Sequence, residues 1–301
     1  MRPSAEITLS ADETAALIGA HFPELAPIHL KPFGEGWDNV AWRVNGECVF
    51  RFPRRQMGAD CMQSELTVLP HLVDRLPLEI PHPVFIGEAC DEFPWPFAGY
   101  RLLSGTPADE LRLNMQSREP LAAPLGRFLR TLHAIPADEV RGWQTPLDTL
   151  GRLAMPGRTD QARKYLADAE TAGLIRDASQ WESILLEAEE ETGTEDRSLC
   201  LVHGDLHSKH ILIEAGQLSG VIDWGDVHLG DPAADVAFAL SFFEGTARQS
   251  FFEAYGTVSE QTLRLARMRV VNHSAACVPG SGDDAAFQFE SQQALERVLT
   301  R

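Results

Sequence analysis

The chain has 301 residues, 44% hydrophobic and 23% charged, enough for a large core and an ordinary balance for a globular protein. Its 44 acidic residues outnumber 26 basic ones, and a net charge of -18 opposes non-specific binding along a nucleic-acid backbone while favouring approach of a cationic small molecule. Five scattered cysteines without a CxxC pair argue against a disulfide frame or zinc knot, no stretch has the length of a membrane span, and the acidic N-terminus lacks the apolar core of a secretory signal; cytoplasmic location is expected, with no nucleic-acid, membrane or obligate protein partner.

Residues 12–22 are predicted to form a helix carrying Leu17, Ile18 and Phe22, with Ser10 or Asp12 near its cap. FGEGWDN is a glycine turn entering a strand, where backbone N–H groups near Gly34 and Gly36 could approach nucleotide phosphates. Val40, Trp42 and Val44 alternate with polar residues, Asn45-Gly46 supplies a hairpin turn, and Cys48, Phe50 and Phe52 alternate again. A helix over 60–73 carries Leu66, Leu69 and Leu72, and FAGYRLL reads as another strand. Arg51, on the second strand of the hairpin, could reach phosphates with Glu65 on the helix as its partner.

The turn-rich SGTPADE after Leu103 marks the boundary between a strand-rich lobe, residues 1–103, and a larger, mainly helical lobe, residues 104–301. Leu121, Leu125, Phe128, Leu129 and Leu132 form a 3.6-residue stripe ending before Pro136, and residues 161–190 read mostly as helix. The acidic run 187–196 is either a solvated helix end and loop or a wall facing a cationic substrate. Leu199, Leu201 and Val202 form a buried approach to HGDLHSKH, two short strands at 211–213 and 221–222 enclose a hairpin, and residues 235–256, 259–277 and 284–299 are helix-like. The fold class is α+β and bilobal.

The chemistry concentrates between His203 and Asp231. Asp205 can accept a hydroxyl proton while orienting the oxygen, and the hairpin would carry His210 towards Asp223, a carboxylate at a strand end that can ligate magnesium. Asp226 reads as a turn residue, and Asp231 as a helix-capping or loop-bracing carboxylate with a metal ligand as the alternative. His203, His207, His210 and His228 also admit a transition-metal hydrolase, although the HxDxHxxH spacing is not the helical HExxH. His203 is expected to brace the loop through backbone bonds, with His207 and His228 lining a cleft or the surface. No GxxxxGK[ST] loop and no clear GxGxxG is present.

The motifs HGDLHSKHILIE and GVIDWGDVHLGDPAAD resemble the aminoglycoside phosphotransferase family, small-molecule kinases of protein-kinase-like fold. The resemblance spans nearly the whole chain. It implies that Asp205 is the catalytic aspartate, that Asp223 ligates nucleotide-bound magnesium, and that His210 stands where the family usually has a metal-binding asparagine. It further implies that Arg51 replaces the usual nucleotide-contacting lysine, that Glu65 is its helical partner, and that the backbone of Tyr100, Arg101 and Leu103 holds the nucleobase. The histidine at 210 and the arginine at 51 resemble macrolide phosphotransferases. The implied activity is transfer of the γ-phosphate of ATP or GTP, with Mg2+, to a hydroxyl of an aminoglycoside, a macrolide or an unidentified metabolite. A nucleotide-binding pseudoenzyme is the other alternative.

Overall fold

In the computed structural model, which describes residues 4–191, 199–280 and 284–300, the N-terminal helix α1 spans Ala11–His21. Ser10 closes its capping box: its hydroxyl accepts the Glu13 N–H, and the Glu13 carboxylate accepts the Ser10 N–H. Strands β1 (Leu30–Glu35), β2 (Asn39–Val44), β3 (Cys48–Pro53), β4 (Pro83–Gly87) and β5 (Phe97–Arg101) form an antiparallel sheet in the order β1-β2-β3-β5-β4. The β2–β3 turn places Asn45 and Gly46 at φ 52° and 81°, the left-handed pair that a tight hairpin requires. Helix α2 spans Gln56–Val68, starting four residues before the predicted helix. Phe50, Phe52, Phe93 and Phe97 form the apolar core with Leu17 and Ile18 of α1.

The second part of the chain is mainly helical. Short strands β6 (Thr106–Pro107), β7 (Cys200–Val202), β8 (Ile211–Glu214), β9 (Gln217–Val221) and β10 (His228–Gly230) make two small sheets, β6-β8-β9 and β10-β7. Helices α3 (Met115–His133), α4 (Ala137–Gly142), α5 (Gly157–Thr171), α6 (Glu182–Glu189), α7 (Ala233–Phe242), α8 (Gly245–Tyr255), α9 (Glu260–Gly280) and α10 (Ala285–Arg297) supply the rest. The predicted stripe of α3 is fully buried. At Gly126 a Cβ would stand 2.5 Å from the Phe251 carbonyl, so the absent side chain permits close approach of α3 and α8. Trp181, Leu166, Leu265, Val271 and Leu295 pack in one cluster around α9, and each such side chain contributes about 1.5–3 kcal/mol on burial.

Two expectations change, and a third lies partly outside the described residues. Leu199 is exposed, so the buried approach begins at Cys200. The predicted 235–256 helix is two: Phe243 and Glu244 are extended, and Gly245 at φ 49° starts the next helix. Residues 192–196 of the acidic run lie outside the described residues, while Glu189 pairs with Arg163 at 2.7 Å and Glu191 with Arg264 at 2.9 Å. All five cysteines are free thiols, and no helix among the described residues is long and apolar enough to cross a membrane.

The chain divides into two compact units: Met1–Arg75, Glu79–Leu103 and Asp223–Asp226 form the strand-rich one, and Leu76–Leu78, Ser104–Ile222 and Val227–Arg301 the helical one.

Candidate active site

The loop bearing Asp205 leaves β7 at Val202 and turns at Gly204, whose φ of 84° suits a residue without a Cβ. One buried carboxylate holds this turn. Asp235 on α7 accepts the backbone N–H groups of His203 at 2.8 Å and Gly204 at 2.9 Å, and His133 Nε2 lies 3.1 Å away. Burial pushes the Asp235 carboxyl up, but the bond and charge of His133, then the His203 ring and the Gly204 N–H, outweigh it and hold it below the ordinary value. His203 braces the loop as expected: its Nδ1 accepts the Asp205 N–H at 3.3 Å, and its Nε2–H donates to the Ile222 carbonyl at 3.0 Å. These two bonds select the neutral ring, and burial moves its pKa down in the same sense.

Asp205 is the carboxylate of the HGDLHSKH loop, and basic groups surround it. Oδ1 lies 3.3 Å from Arg152 Nη1 and 3.2 Å from Arg269 Nη2, while Oδ2 lies 3.6 Å from His207 Nε2. Burial raises its pKa, yet Arg152, then His207 and His273, outweigh that and hold it well below the usual carboxylate range. Arg152 is placed by the segment between α4 and α5, which is tied to β10 through the Leu229 N–H and the Pro146 carbonyl at 2.8 Å. Arg269 and His273 come from consecutive turns of α9.

The histidines of the loop differ in the hydrogen bonds they make. His207 is a partly buried residue that caps the 208–210 turn, its Nδ1 accepting the Lys209 N–H at 3.3 Å; its Nε2–H therefore faces Asp205. His210 Nδ1 donates to the Asp205 carbonyl at 2.8 Å, so Nε2 carries the lone pair of the neutral ring. Asp205, His207 and His210 are the group of potential metal donors brought together among the described residues, within 4.8 Å of one another. With His207 engaged through Nδ1 and protonated on Nε2, that group is a poor three-ligand transition-metal centre. His228, expected to line a cleft or the surface, is instead buried in β10.

In the strand-rich unit, Arg51 on β3 makes a forked contact with Glu65 on α2, 3.1 and 2.8 Å from Nη1 to the two oxygens, and its Nη2 reaches Asp223 Oδ1 at 2.7 Å. Burial opposes the arginine's charge, but Glu65 and Asp223 hold it more firmly protonated than an ordinary arginine. Burial raises the Glu65 carboxyl, partly offset by Arg51, and the Tyr100 phenol is pushed well up by burial and by Glu65. Asp223 sits at φ 63°, a left-handed conformation that aspartate tolerates better than most residues and that marks a constrained position. A carboxylate at Asp223 and an imidazole lone pair at His210 are donor types that accept a divalent cation, although magnesium favours oxygen over nitrogen.

The remaining nucleotide candidates are differently disposed. The Gly36 N–H is engaged with the Asn39 carbonyl at 2.8 Å, so it is not an open donor, and Gly34 lies in β1 at a register shift. Arg101 ends β5 opposite Cys48, the Leu102 N–H donates to the Glu47 carbonyl at 2.9 Å, and Leu103 closes the strand-rich unit. Asp231 braces the entry to α7 by accepting the Ala233 N–H at 2.9 Å.

Sequence reasoning missed Asp235, Arg152, Arg269 and His273. Asp235 alone left a trace, a charge inside the otherwise apolar ADVAFAL helix. The others stand 53, 64 and 68 positions from Asp205, and no local pattern joins them to it.

Comparison with known proteins places the family and the fold. The pattern of the "Phosphotransferase enzyme family" matches residues 29–269. The uncharacterized protein YcbJ of Bacillus subtilis (strain 168) is 27% identical over 171 residues, 52% of each chain, so the match spans about half the length of that relative. The GDP and kanamycin complex of APH(2")-IIia superposes with a TM-score of 0.69 at 25% identity, covering 94% of this chain and 97% of the other. Macrolide 2'-phosphotransferase MphH from Brachybacterium faecium gives 0.59 at 22% identity, covering 94% and 97%, a likeness of fold. With the expected division into strand-rich and helical parts and the HGD loop in place, the chain belongs to the phosphotransferase enzyme family and has the protein-kinase-like fold.

Proposed function

We propose that the protein transfers the terminal phosphoryl group of ATP or GTP to a hydroxyl of a small molecule. The observation that carries this reading is the placement of Asp205 on a turn clamped by Asp235 and His203, a rigid mount for the carboxylate that orients the acceptor. The acceptor oxygen forms a bond to the γ-phosphorus as the bond to the β–γ bridging oxygen breaks. The nucleoside diphosphate leaves with that electron pair, and the hydroxyl proton passes to Asp205. Because the hydroxyl becomes acidic as the new bond forms, a carboxylate of low pKa suffices as acceptor, and positioning carries most of the benefit.

Arg51, held by Glu65, is the proposed phosphate contact, with Gly34 assigned to the nucleotide as part of the glycine turn, and Tyr100, Arg101 and Leu103 on resemblance to the family; the Gly36 N–H is taken by the Asn39 carbonyl. His210 and Asp223 are the proposed magnesium ligands. Magnesium, when bound, neutralises charge on the phosphate oxygens. The strand-rich unit, residues 1–103, is assigned to the nucleotide and residues 104–301 to catalysis and the acceptor, in a cytoplasmic enzyme. Aminoglycosides and macrolides are the antibiotic acceptors suggested by the solved relatives, and an unidentified hydroxylated metabolite is the alternative.

The test has two parts: calorimetric titration with ATP and GTP in the presence of magnesium, and mass detection of phosphorylated product across aminoglycoside, macrolide and simple hydroxylated acceptors. Nucleotide binding with product that disappears in Asp205→Asn supports the reading. Absence of both binding and transfer overturns it. Nucleotide binding without transfer across a broad metabolite panel favours the pseudoenzyme.

A further inference from the structure

The net negative charge of the chain suggests a cationic acceptor, but the surroundings of Asp205 have the opposite sign. Two guanidinium groups from separate elements, Arg152 from the α4–α5 connection and Arg269 from α9, converge on the same carboxylate oxygen. His207 and the neutral ring of His273 stand beside them, and the opposing carboxylate of Asp148 accepts the Arg152 backbone N–H at 2.6 Å. A polycation brought to this oxygen would meet like charges at close range.

The lengths of these contacts matter as much as their number. The buried Arg297 stands 3.4 and 3.5 Å from Glu244 and Glu290, while Arg51–Asp223 at 2.7 Å, Arg118–Glu290 at 2.6 Å and Arg163–Glu189 at 2.7 Å are short, well-fitted ion pairs of this protein. The Asp205 contacts, 3.2 and 3.3 Å, are long by that standard and by the usual ~2.7–2.9 Å of charge-assisted bonds. Both arginines are largely withdrawn from solvent, with 14% and 8% of their side chains exposed, so these long contacts are not a surface accident. The arginines also occupy Oδ1, one of the two oxygens through which Asp205 could take a hydroxyl proton, while His207 lies 3.6 Å from the other.

We propose that Arg152 and Arg269 bind an anionic group of the acceptor, a carboxylate or a phosphate, and that this anion draws them from Asp205 and frees Oδ1 for the hydroxyl. The proposal rests on the phosphotransferase reading for the identity of the ligand as an acceptor. The forked geometry of two guanidiniums matches a planar carboxylate or a phosphate, whereas a lone hydroxyl would leave both cations competing for the base. The acceptor class is then a hydroxy acid or a hydroxylated phosphate ester. The exchange moves no covalent bond; it replaces one counter-ion of the arginines by another.

The experiment titrates the metal-free, full-length protein with sodium malonate and, in parallel, inorganic phosphate, against sodium chloride of equal ionic strength, and reads the unfolding midpoint. Wild type is expected to be stabilised by at least one of the two anions, and the tighter one names the group. Asp205→Asn removes the competing carboxylate, so the same anion should bind at least about tenfold more tightly, which loss of a merely structural ion pair would not produce. Arg269→Gln and Arg152→Gln should each weaken binding by about tenfold or more. Arg152 lies in a connecting segment, so its variant serves if Arg269→Gln does not fold. Absence of anion binding in both wild type and Asp205→Asn overturns the proposal, as does equal binding in the arginine variants. Nucleotide titration of the same preparations reports separately on the phosphotransferase reading.

Discussion

Asp235 and His203 are joined by a 2.8 Å bond from backbone N–H to carboxylate in a fully buried setting, and through it α7 fixes the start of the loop that carries Asp205. With Gly204 as second donor and His133 as third, the carboxylate has three partners. Asp235→Ala strands two buried N–H groups and an imidazole and is expected to cost about 3–5 kcal/mol, with Asp235→Asn costing about 1–3. Urea unfolding measures both. A cost below about 1 kcal/mol for the alanine variant would show that the loop is held by something else.

Acid should weaken the fold from near neutrality downward. Burial depresses the pKa of His203 and of His273, the latter strongly and with Arg269 adding to the effect. Unfolded histidine takes up its proton near pH 6.5, so below about pH 6.5 the unfolded chain binds more protons than the native one. Stability therefore falls as pH drops through that value towards the folded pKa values, by up to about 1.4 kcal/mol per pH unit for each histidine. The depressed carboxyls of Asp205 and Asp235 act later: their contribution is present above about pH 4 and is lost on further acidification. Urea midpoints from pH 7.5 to 5.0 at constant ionic strength should decline, and His273→Gln should flatten the decline. A level profile in wild type would contradict the two buried neutral imidazoles.

Arg51 and Glu65 form a pair in which each removal exposes the other. Glu65 is 1% exposed, so Arg51→Ala leaves a buried carboxylate without its main cation and should destabilise by about 3–5 kcal/mol. Adding Glu65→Gln to that variant should restore about 2 kcal/mol or more, a coupling read by a double-mutant cycle. Arg51→Lys should fold but bind nucleotide more weakly, since an ammonium has one nitrogen where the guanidinium uses Nη1 for Glu65 and Nη2 for Asp223. Strict additivity of the two substitutions would argue that the contact is incidental.

The legible and illegible parts of this molecule differ by their range along the chain. The Asn45-Gly46 hairpin and the Ser10 cap follow from neighbouring residues, and the HGD loop with its following hairpin is a contiguous motif. The Arg51–Glu65 pair, 14 positions apart, was reachable because strand and helix could both be placed. The third member, Asp223, lies 172 positions from Arg51, and its contact with that arginine was not anticipated even though its chemistry was. Arg152 and Arg269 carry no local signature at all, because arginines on a connection and on a helix read as solvated charge until packing shows what they face.

His210 should shift metal preference. Imidazole suits manganese and other transition ions better than it suits magnesium, which favours oxygen ligands. His210→Asn is expected to lower the magnesium concentration needed for half-maximal turnover and to narrow the advantage of manganese, each by roughly tenfold. Unchanged metal curves for both ions would remove His210 from the metal site.

The central claim is that the terminal phosphoryl group of a nucleotide ends on an organic hydroxyl under the control of Asp205. The most direct measurement incubates ATP or GTP carrying a label in the γ-phosphate with the protein, magnesium and a mixed panel of hydroxylated acceptors, hydroxy acids included. The separated products are then scored as organic or inorganic phosphate. Label in an organic phosphate, reduced at least about a hundredfold in Asp205→Asn, is the predicted result. Label released only as inorganic phosphate, or organic product formed equally by Asp205→Asn, would contradict the account.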